Sequence, residues 1–311
     1  MEITFNKKIK VAAPGTVANL VCGFDVLGLC LEAPCDEMEL AVNDTGNVII
    51  QNDAEYNLPT APAQNTAGAA LLEMMTELDA GVGFQLRIKK NIKPGSGIGS
   101  SAASAAGAVV AANHLLGNIF SKEQLVRFAM SGEKVASGVK HADNVAPCIY
   151  GGITLIRSIF PLDIVRIPAP PLWVTVVHPQ IEVRTSDARE ILKKEVPLKN
   201  AIKQWGNIAG LVAGFMQNDY DLIGRSLEDV IIEPVRSILI PCFDEIKLKS
   251  IGAGALGGGI SGSGPSVFML SKDESAANNV KEVMQDVYHR IGLDHHVYVT
   301  KINNNGVYIK A

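Results

Sequence analysis

Apolar positions along the chain switch between two periods. Ile3, Phe5, Ile9 and Val11 predict a strand over residues 2–11, followed by a polar–apolar loop from Pro14 to Gly28. Short apolar runs predict strands at 37–42 and 47–51, joined by the turn Asp44-Thr45-Gly46. Asn65 then caps a helix over 66–79, with Leu71, Leu72, Met75 and Leu78 on one face. Residues 83–90 alternate as a strand (Phe84, Leu86, Ile88). After a glycine-rich turn comes a helix of small residues, Ala102–Ala112, and Ser121 with Gln124 forms a capping box for the next helix.

Gly151-Gly152 opens a strand at 153–157, and prolines at 161, 168, 170 and 171 mark a boundary. Beyond it the pattern predicts a strand at 172–177 and helices near 186–194, 200–217 and 219–230. Glycines over 252–264 lead into a strand at 266–270, then a helix at 274–291 and a strand at 296–301. Interleaved strands and helices give an α/β or α+β chain of two domains, 1–160 and 161–311.

Composition narrows the function classes. Apolar residues make up 47% of the 311, ample for two packed cores. The net charge is −4 with no Lys/Arg block, which argues against a nucleic-acid partner. Five cysteines, at 22, 30, 35, 148 and 242, include no C-x-x-C, so reduced thiols in a cytoplasmic protein are expected rather than disulfides or a zinc site. The N-terminus MEITFNKKIK lacks the apolar core of a signal peptide. Residues 100–120 approach membrane-span length, but their serines, Asn113 and His114 fit a buried small-residue helix better, and no membrane partner is expected.

The most informative segment is Pro94-Gly-Ser-Gly-Ile-Gly-Ser-Ser-Ala-Ala103. A glycine-rich turn at a helix N-terminus offers free N–H groups and the positive end of the helix dipole to an anion, most often phosphate. No lysine follows the last glycine, so the Walker pattern is absent. A tight turn before a packed helix would also use these residues, although Gly97-x-Gly99-Ser100-Ser101 suits a phosphate cradle better. Taken singly, Glu133 and Asp143 would pass for solvated acids, and Arg189 and Arg236 for helix-surface arginines. Gly252-Ala-Gly-Ala-Leu-Gly257 matches G-x-G-x-x-G, but glycines continue to Gly264 and no helix is predicted there. A loop closing over substrate is expected instead.

The decapeptide resembles the central motif of the GHMP kinases, the family of galactokinases, homoserine kinases, mevalonate kinases and phosphomevalonate kinases. Ala13-Pro14-Gly15-Thr16-Val17-Ala18-Asn19-Leu20, continuing as Cys22-Gly23-Phe24-Asp25-Val26-Leu27-Gly28-Leu29, resembles the homoserine kinase form of the first motif. Ser261-Gly262-Ser263-Gly264-Pro265-Ser266 resembles the third. The resemblance implies an α+β fold: an N-terminal ATP-binding domain like ribosomal protein S5 domain 2, then a ferredoxin-like domain, with the site between them. It implies ATP-dependent phosphorylation of the γ-hydroxyl of L-homoserine.

In that reading Pro94, Gly95, Ser96, Gly97, Ile98, Gly99, Ser100, Ser101 and Ala102 bind ATP, with Asn65 and Lys89 near adenine. Ser101 and Glu133 hold Mg²⁺, and Asp143 orients the acceptor hydroxyl. Arg189 and Arg236 bind the substrate carboxylate, Asn19 and Asp25 face its amine, and His141, Thr185 and Gly262 also contact it. The family's common Gly-Pro is Val21-Cys22 here, Ile98 replaces a leucine, and Pro14–Leu20 contains no lysine. A homodimer is expected. Another GHMP kinase acting on mevalonate, shikimate or a sugar, and a non-catalytic ligand sensor, are the alternatives.

Overall fold

The computed structural model describes residues 7–52, 54–78 and 81–310. Residues 2–6 of the first expected strand, and residue 79 of the first expected helix, lie outside them. The first unit comprises β1 (Lys8–Ala18), β2 (Leu27–Asn43), β3 (Val48–Asn52), α1 (Thr66–Met75), β4 (Gly83–Lys89), α2 (Ser100–Leu115), α3 (Lys122–Ser137), α4 (Val145–Tyr150), β5 (Ile153–Ile159) and β6 (Leu162–Ile167). The second comprises β7 (Trp173–Pro179), α5 (Thr185–Glu190), α6 (Leu198–Gln217), α7 (Tyr220–Ser226), α8 (Glu233–Arg236), α9 (Phe243–Gly252), β8 (Gly257–Ile260), β9 (Val267–Ser271), α10 (Glu274–Arg290) and β10 (His295–Lys301). A last short strand, β11 (Tyr308–Ile309), returns to the first sheet beside β1.

The first sheet runs β11-β1-β2-β4-β3, with β5 on β2 and β6 on β5; only the β3–β4 pair is parallel. The second runs β10-β7-β9-β8, all antiparallel, with the β-α-β-β-α-β chain order of a ferredoxin-like domain. The architecture is the α+β fold expected. Passage from sheet to sheet falls at 168–172 rather than at 160/161, because β6 still pairs with β5 over Ile153–Ile159.

Expected elements shift where pairing partners override local signals. The loop expected over 14–28 shrinks to residues 19–26: β1 continues past a register irregularity at Pro14/Thr16 and pairs Thr16–Ala18 with Gly28–Cys30. A proline has no N–H for a ladder, and an irregularity is where a sheet tolerates one. The stretch 252–257 is no closing loop. Gly252 ends α9, and Gly257–Ile260 is a fully buried strand against β9.

Helix α2 explains the alanine run. Twelve of its residues are buried, including Ala102, Ala103, Ala105, Ala106 and Ala108, and it packs on β1, β2, α1, α3 and α4. Small side chains on every side let those neighbours approach closely, so the helix is buried over most of its circumference. One hydrophobic cluster joins α2 to Val174, Val176, Phe215 and Phe268 of the second unit. The two walls of the cleft are therefore held by a shared core.

Candidate active site

Three turns from distant parts of the chain meet at the N-terminus of α2. The Thr16 N–H donates to the Ile98 carbonyl at 3.2 Å, and Asn19 Nδ2 to the Gly262 carbonyl at 2.8 Å. Ser261 Oγ donates to the Gly97 carbonyl at 2.7 Å, and Ser266 Oγ to the Ser96 carbonyl at 2.6 Å. These bonds press the loops so closely that residue 97 must lack a side chain. At its φ of +80° a Cβ would lie 2.6 Å from the Gly264 carbonyl oxygen and 2.7 Å from that of Ser261. Gly97→Ala should cost on the order of 1–3 kcal/mol of stability and raise the KM for nucleotide, read by thermal melts and initial rates.

The loop and α2 form one end of a cavity of about 450 Å³. Pro94, Gly95, Gly97, Gly99, Ser100 and Ser101 line it. Glu133 reaches the same space from α3, with its Oε1 buried and unpartnered among the described residues. Burial pushes its carboxyl up to about 7, while the nearby Ser101 hydroxyl pulls the other way. A desolvated carboxylate with an open oxygen beside a serine hydroxyl suits a Mg²⁺ ion that keeps waters and phosphate oxygens as its remaining ligands. The residues present fit that ion.

Asp143 lies between the phosphate end and the acceptor end. It is 5% exposed, and burial pushes it up to about 7, with the Asp25 and Glu133 charges adding to the shift. Its position depends on Gly28 of β2, where a Cβ would sit 1.8 Å from the Asp143 carbonyl oxygen. Next to it, Thr16 Oγ1 donates to Asn144 Oδ1 at 2.7 Å, tying this segment to β1.

The far end of the cavity is charged. Arg189 of α5 grips Asp25 bidentately, Nη2 to Oδ1 at 2.8 Å and Nη1 to Oδ2 at 3.1 Å. Asp25 holds a φ of +60°, a left-handed conformation that Asp adopts more readily than most residues. Its backbone N–H donates to Asn19 Oδ1 at 3.0 Å, so the turn aims both side chains. His141 Nδ1 lies 3.8 Å from Asp25 Oδ1, and its buried Nε2 is unpartnered among the described residues. Burial and Arg189 lower the His141 pKa against the opposing pull of Asp25, which favours the neutral ring.

Arg236 is 3% exposed, with Nε donating to the Ala188 carbonyl at 2.8 Å. Burial, and then Arg189, push it down to about 10. Phe24 lies under both guanidinium groups, its ring centroid 5.4 Å from Arg189 Cζ and 4.9 Å from Arg236 Cζ. The fork of donors, an acid and an aromatic floor suit a small zwitterion.

The cavity gathers Asn19, Asp25, His141, Thr185, Arg189, Arg236 and Gly262 as expected for the acceptor end. Other expected residues fall elsewhere. Lys89 is exposed, because the alternation of β4 turns Phe84, Leu86 and Ile88 inward and 89 outward. That same alternation, continued one step, brings Lys90 to the cavity wall, where Nζ pairs with Asp36 and donates to Ser100 O at 2.9 Å and Ser104 Oγ at 3.1 Å. The period-2 signal was sufficient to find Lys90.

Asn65 is spent on capping α1: its Oδ1 accepts from the N–H groups of Ala67 and Gly68, and its Nδ2 donates to Pro59 O. Ser96, Ile98 and Ala102 do not line the cavity: Ser96 and Ile98 are buried on the other side of the loop, where they border a second, smaller cavity, and Ala102 is buried in the core. Phe24, Asn144, Glu182 and Arg184 also line it and carry no sequence signal of their own.

Known proteins share this arrangement. Residues 65–152 match the GHMP kinases N terminal domain and residues 211–290 the GHMP kinases C terminal domain. The homoserine kinase of Chloroherpeton thalassium is 44% identical over 314 residues, spanning 96% of this chain and 98% of its own. That of Methanococcus maripaludis is 40% identical, spanning 98% and 99%. The crystal structure of homoserine kinase from Cytophaga hutchinsonii superposes with a TM-score of 0.94 at 46% identity over the whole of both chains. With its three motif turns joined around one cleft and its relatives matched from end to end, the chain belongs to the homoserine kinase branch of the GHMP kinase family.

Proposed function

We propose that the chain transfers the γ-phosphoryl group of ATP to the γ-hydroxyl of L-homoserine, giving ADP and O-phospho-L-homoserine, a step of threonine biosynthesis. The observation that carries the substrate assignment is the Asp25–Arg189 pair with Arg236 beside it. A zwitterion can replace the internal pair with two of its own, its carboxylate on the arginines and its ammonium on Asp25. A sugar offers no charges to exchange for the internal pair, and mevalonate, a monoanion, would strand Asp25. Glu133 and Asp143, both facing the cleft, favour a catalyst over a sensor.

Backbone N–H groups of Gly97 and of 99–101 at the α2 N-terminus would bind phosphate oxygens, since those of Ser96 and Ile98 already donate to Lys93 O and Ser96 Oγ. Ser101 and Glu133 would hold Mg²⁺, which neutralises charge on the β- and γ-phosphates. Asp143 accepts the hydrogen bond of the acceptor hydroxyl and aims its oxygen. No lysine in Pro14–Leu20 stands by to assist, so the proton leaves late, as a loose transition state allows. The reading includes a cytoplasmic homodimer, to be checked by sedimentation equilibrium. Among the described residues no helix is long and apolar enough to cross a membrane.

The test is ADP release with ATP, Mg²⁺ and a panel of L-homoserine, D-homoserine, mevalonate, shikimate and galactose. Turnover confined to L-homoserine is expected; turnover only with another acceptor overturns the substrate assignment. Asp143→Asn should lower kcat with little change in either KM. A loss under about tenfold fits orientation alone, whereas about 10² to 10⁴ identifies a general base.

A further inference from the structure

A second cavity, of about 250 Å³, lies behind the phosphate loop, on the side away from the active site. Its walls come from both units: the 91–93 approach to the loop, Ser96 and Ile98 on one side, and β7 and β10 on the other. Nothing in the proposed phosphoryl transfer uses it.

Its chemistry is specific. His178 of β7 and His296 of β10 are direct cross-strand partners. His178 is 2% exposed, yet neither ring nitrogen has a partner among the described residues. Buried polar groups without partners are rare and costly, and a cavity that holds one invites a ligand to satisfy it. Lys93 brings an ammonium whose Nζ donates to the neutral Gln180 Oε1 at 2.9 Å. Burial, Lys93 and His296 push His178 down to about 4, so its ring is neutral and offers one donor and one acceptor. Tyr56 and Tyr298 supply aromatic surface, and among the described residues Glu55 is the one carboxylate on the wall. The space, a little over half the volume of the first cavity, suits a small metabolite.

We propose that this cavity is a second ligand site, taking a small carboxylate- or phosphate-bearing molecule held by Lys93 and the ring N–H groups of His178 and His296, with its remaining atoms between Tyr56 and Tyr298. The site is wired to the first. The Ser96 carbonyl accepts from the Ser266 N–H at 3.3 Å and its hydroxyl at 2.6 Å, so loop 94–99 forms a wall of both cavities. A ligand that orders the loop from behind alters the nucleotide site in front, and by linkage nucleotide alters its affinity in return.

The test titrates inorganic phosphate and, in a separate arm, succinate into the full chain with ¹⁵N-labelled histidines, at saturating ATP analogue and Mg²⁺. A saturable shift of the His178 ring nitrogens, with a Kd on the order of 10 mM or tighter in one arm, is expected. The arm that responds tells phosphate from carboxylate. Lys93→Ala should abolish the shift while keeping basal kcat, and the responding anion should change the KM for ATP by about twofold or more in the parent alone. No saturable His178 shift in either arm, or the same shift in Lys93→Ala, overturns the proposal. Because the readout is binding at His178, its failure is distinct from a failure of the acceptor panel.

Discussion

Glu133→Gln should lower kcat by about 10³-fold or more and, at the same time, make the ligand-free protein harder to melt at pH 8. Both effects come from one oxygen. Glu133 is 6% exposed, and its Oε1 has no partner among the described residues. Holding a carboxylate there is useful only when a cation and phosphates arrive; before that, it is a desolvated charge. The acid's folded-state pKa is raised from 4.5 to about 7 by burial. The folded protein therefore binds this proton more tightly than the unfolded chain does. Below about pH 4.5 both states are protonated and the group costs nothing; stability is lost as pH rises from there to about 7 and stays lost above.

The shift corresponds to about 3 kcal/mol, and Asp143, raised for the same reason, acts in the same direction. Replacing the carboxylate by an amide removes that cost, so the melting-temperature gain of Glu133→Gln should be near zero at pH 4.5 and several degrees at pH 8. MgATP should stabilise the parent more than the variant, because only the parent gains a cation partner for the acid. Scanning calorimetry at the two pH values, with and without MgATP, reads all of this. A variant that is catalytically dead and melts lower at pH 8 would show that Glu133 holds the fold instead of the metal.

Arg189→Lys and Asp25→Asn should each raise the KM for L-homoserine by about 10²-fold while leaving the KM for ATP within about twofold. Lysine keeps the charge at 189 but loses the planar fork that now makes the bidentate contact. Asparagine keeps the shape at 25 and tolerates the φ of +60°, so what it removes is the negative charge. Truncating one member of a hydrogen-bonded charge pair commonly costs 2–5 kcal/mol, roughly 30- to 5,000-fold, and the one-third exposure of both side chains sets the expectation toward the lower part of that range. The double variant should lose less than the product of the two single losses, since the partners meet each other in the free protein and the same ligand when bound. Independent effects in that cycle, or an equal rise in the KM for ATP, would count against a site that exchanges its own ion pair for a substrate zwitterion.

Much of this protein is written locally. The Asn65 cap and the Ser121–Gln124 capping box are seen in the structure, with Ser121 Oγ accepting from Gln124 N–H at 3.3 Å. The alternation of residues 83–90 became β4, and the small-residue run became the buried helix α2. These features are legible because caps and periodicities act between residues a few positions apart. The left-handed glycines before α2 were legible for a similar reason: a bend that favours glycine, next to a helix start, is local information.

The rest waited for the chain to close on itself. That the turns at 14–20, 94–101 and 261–266 touch depends on a shared core between the two sheets. Glu133 and Asp143 looked like ordinary acids because burial, which raises both to about 7, is a property of everything packed around them. β1 ran on through Pro14 and β6 formed inside a proline-flanked segment because strands take their reality from partners far away in sequence. Asp25 met Arg189 across 164 positions, and His178 was left facing a cavity without a partner, by the same cause. Short-range chemistry decided which elements exist; long-range packing decided which charges are desolvated and which are paired.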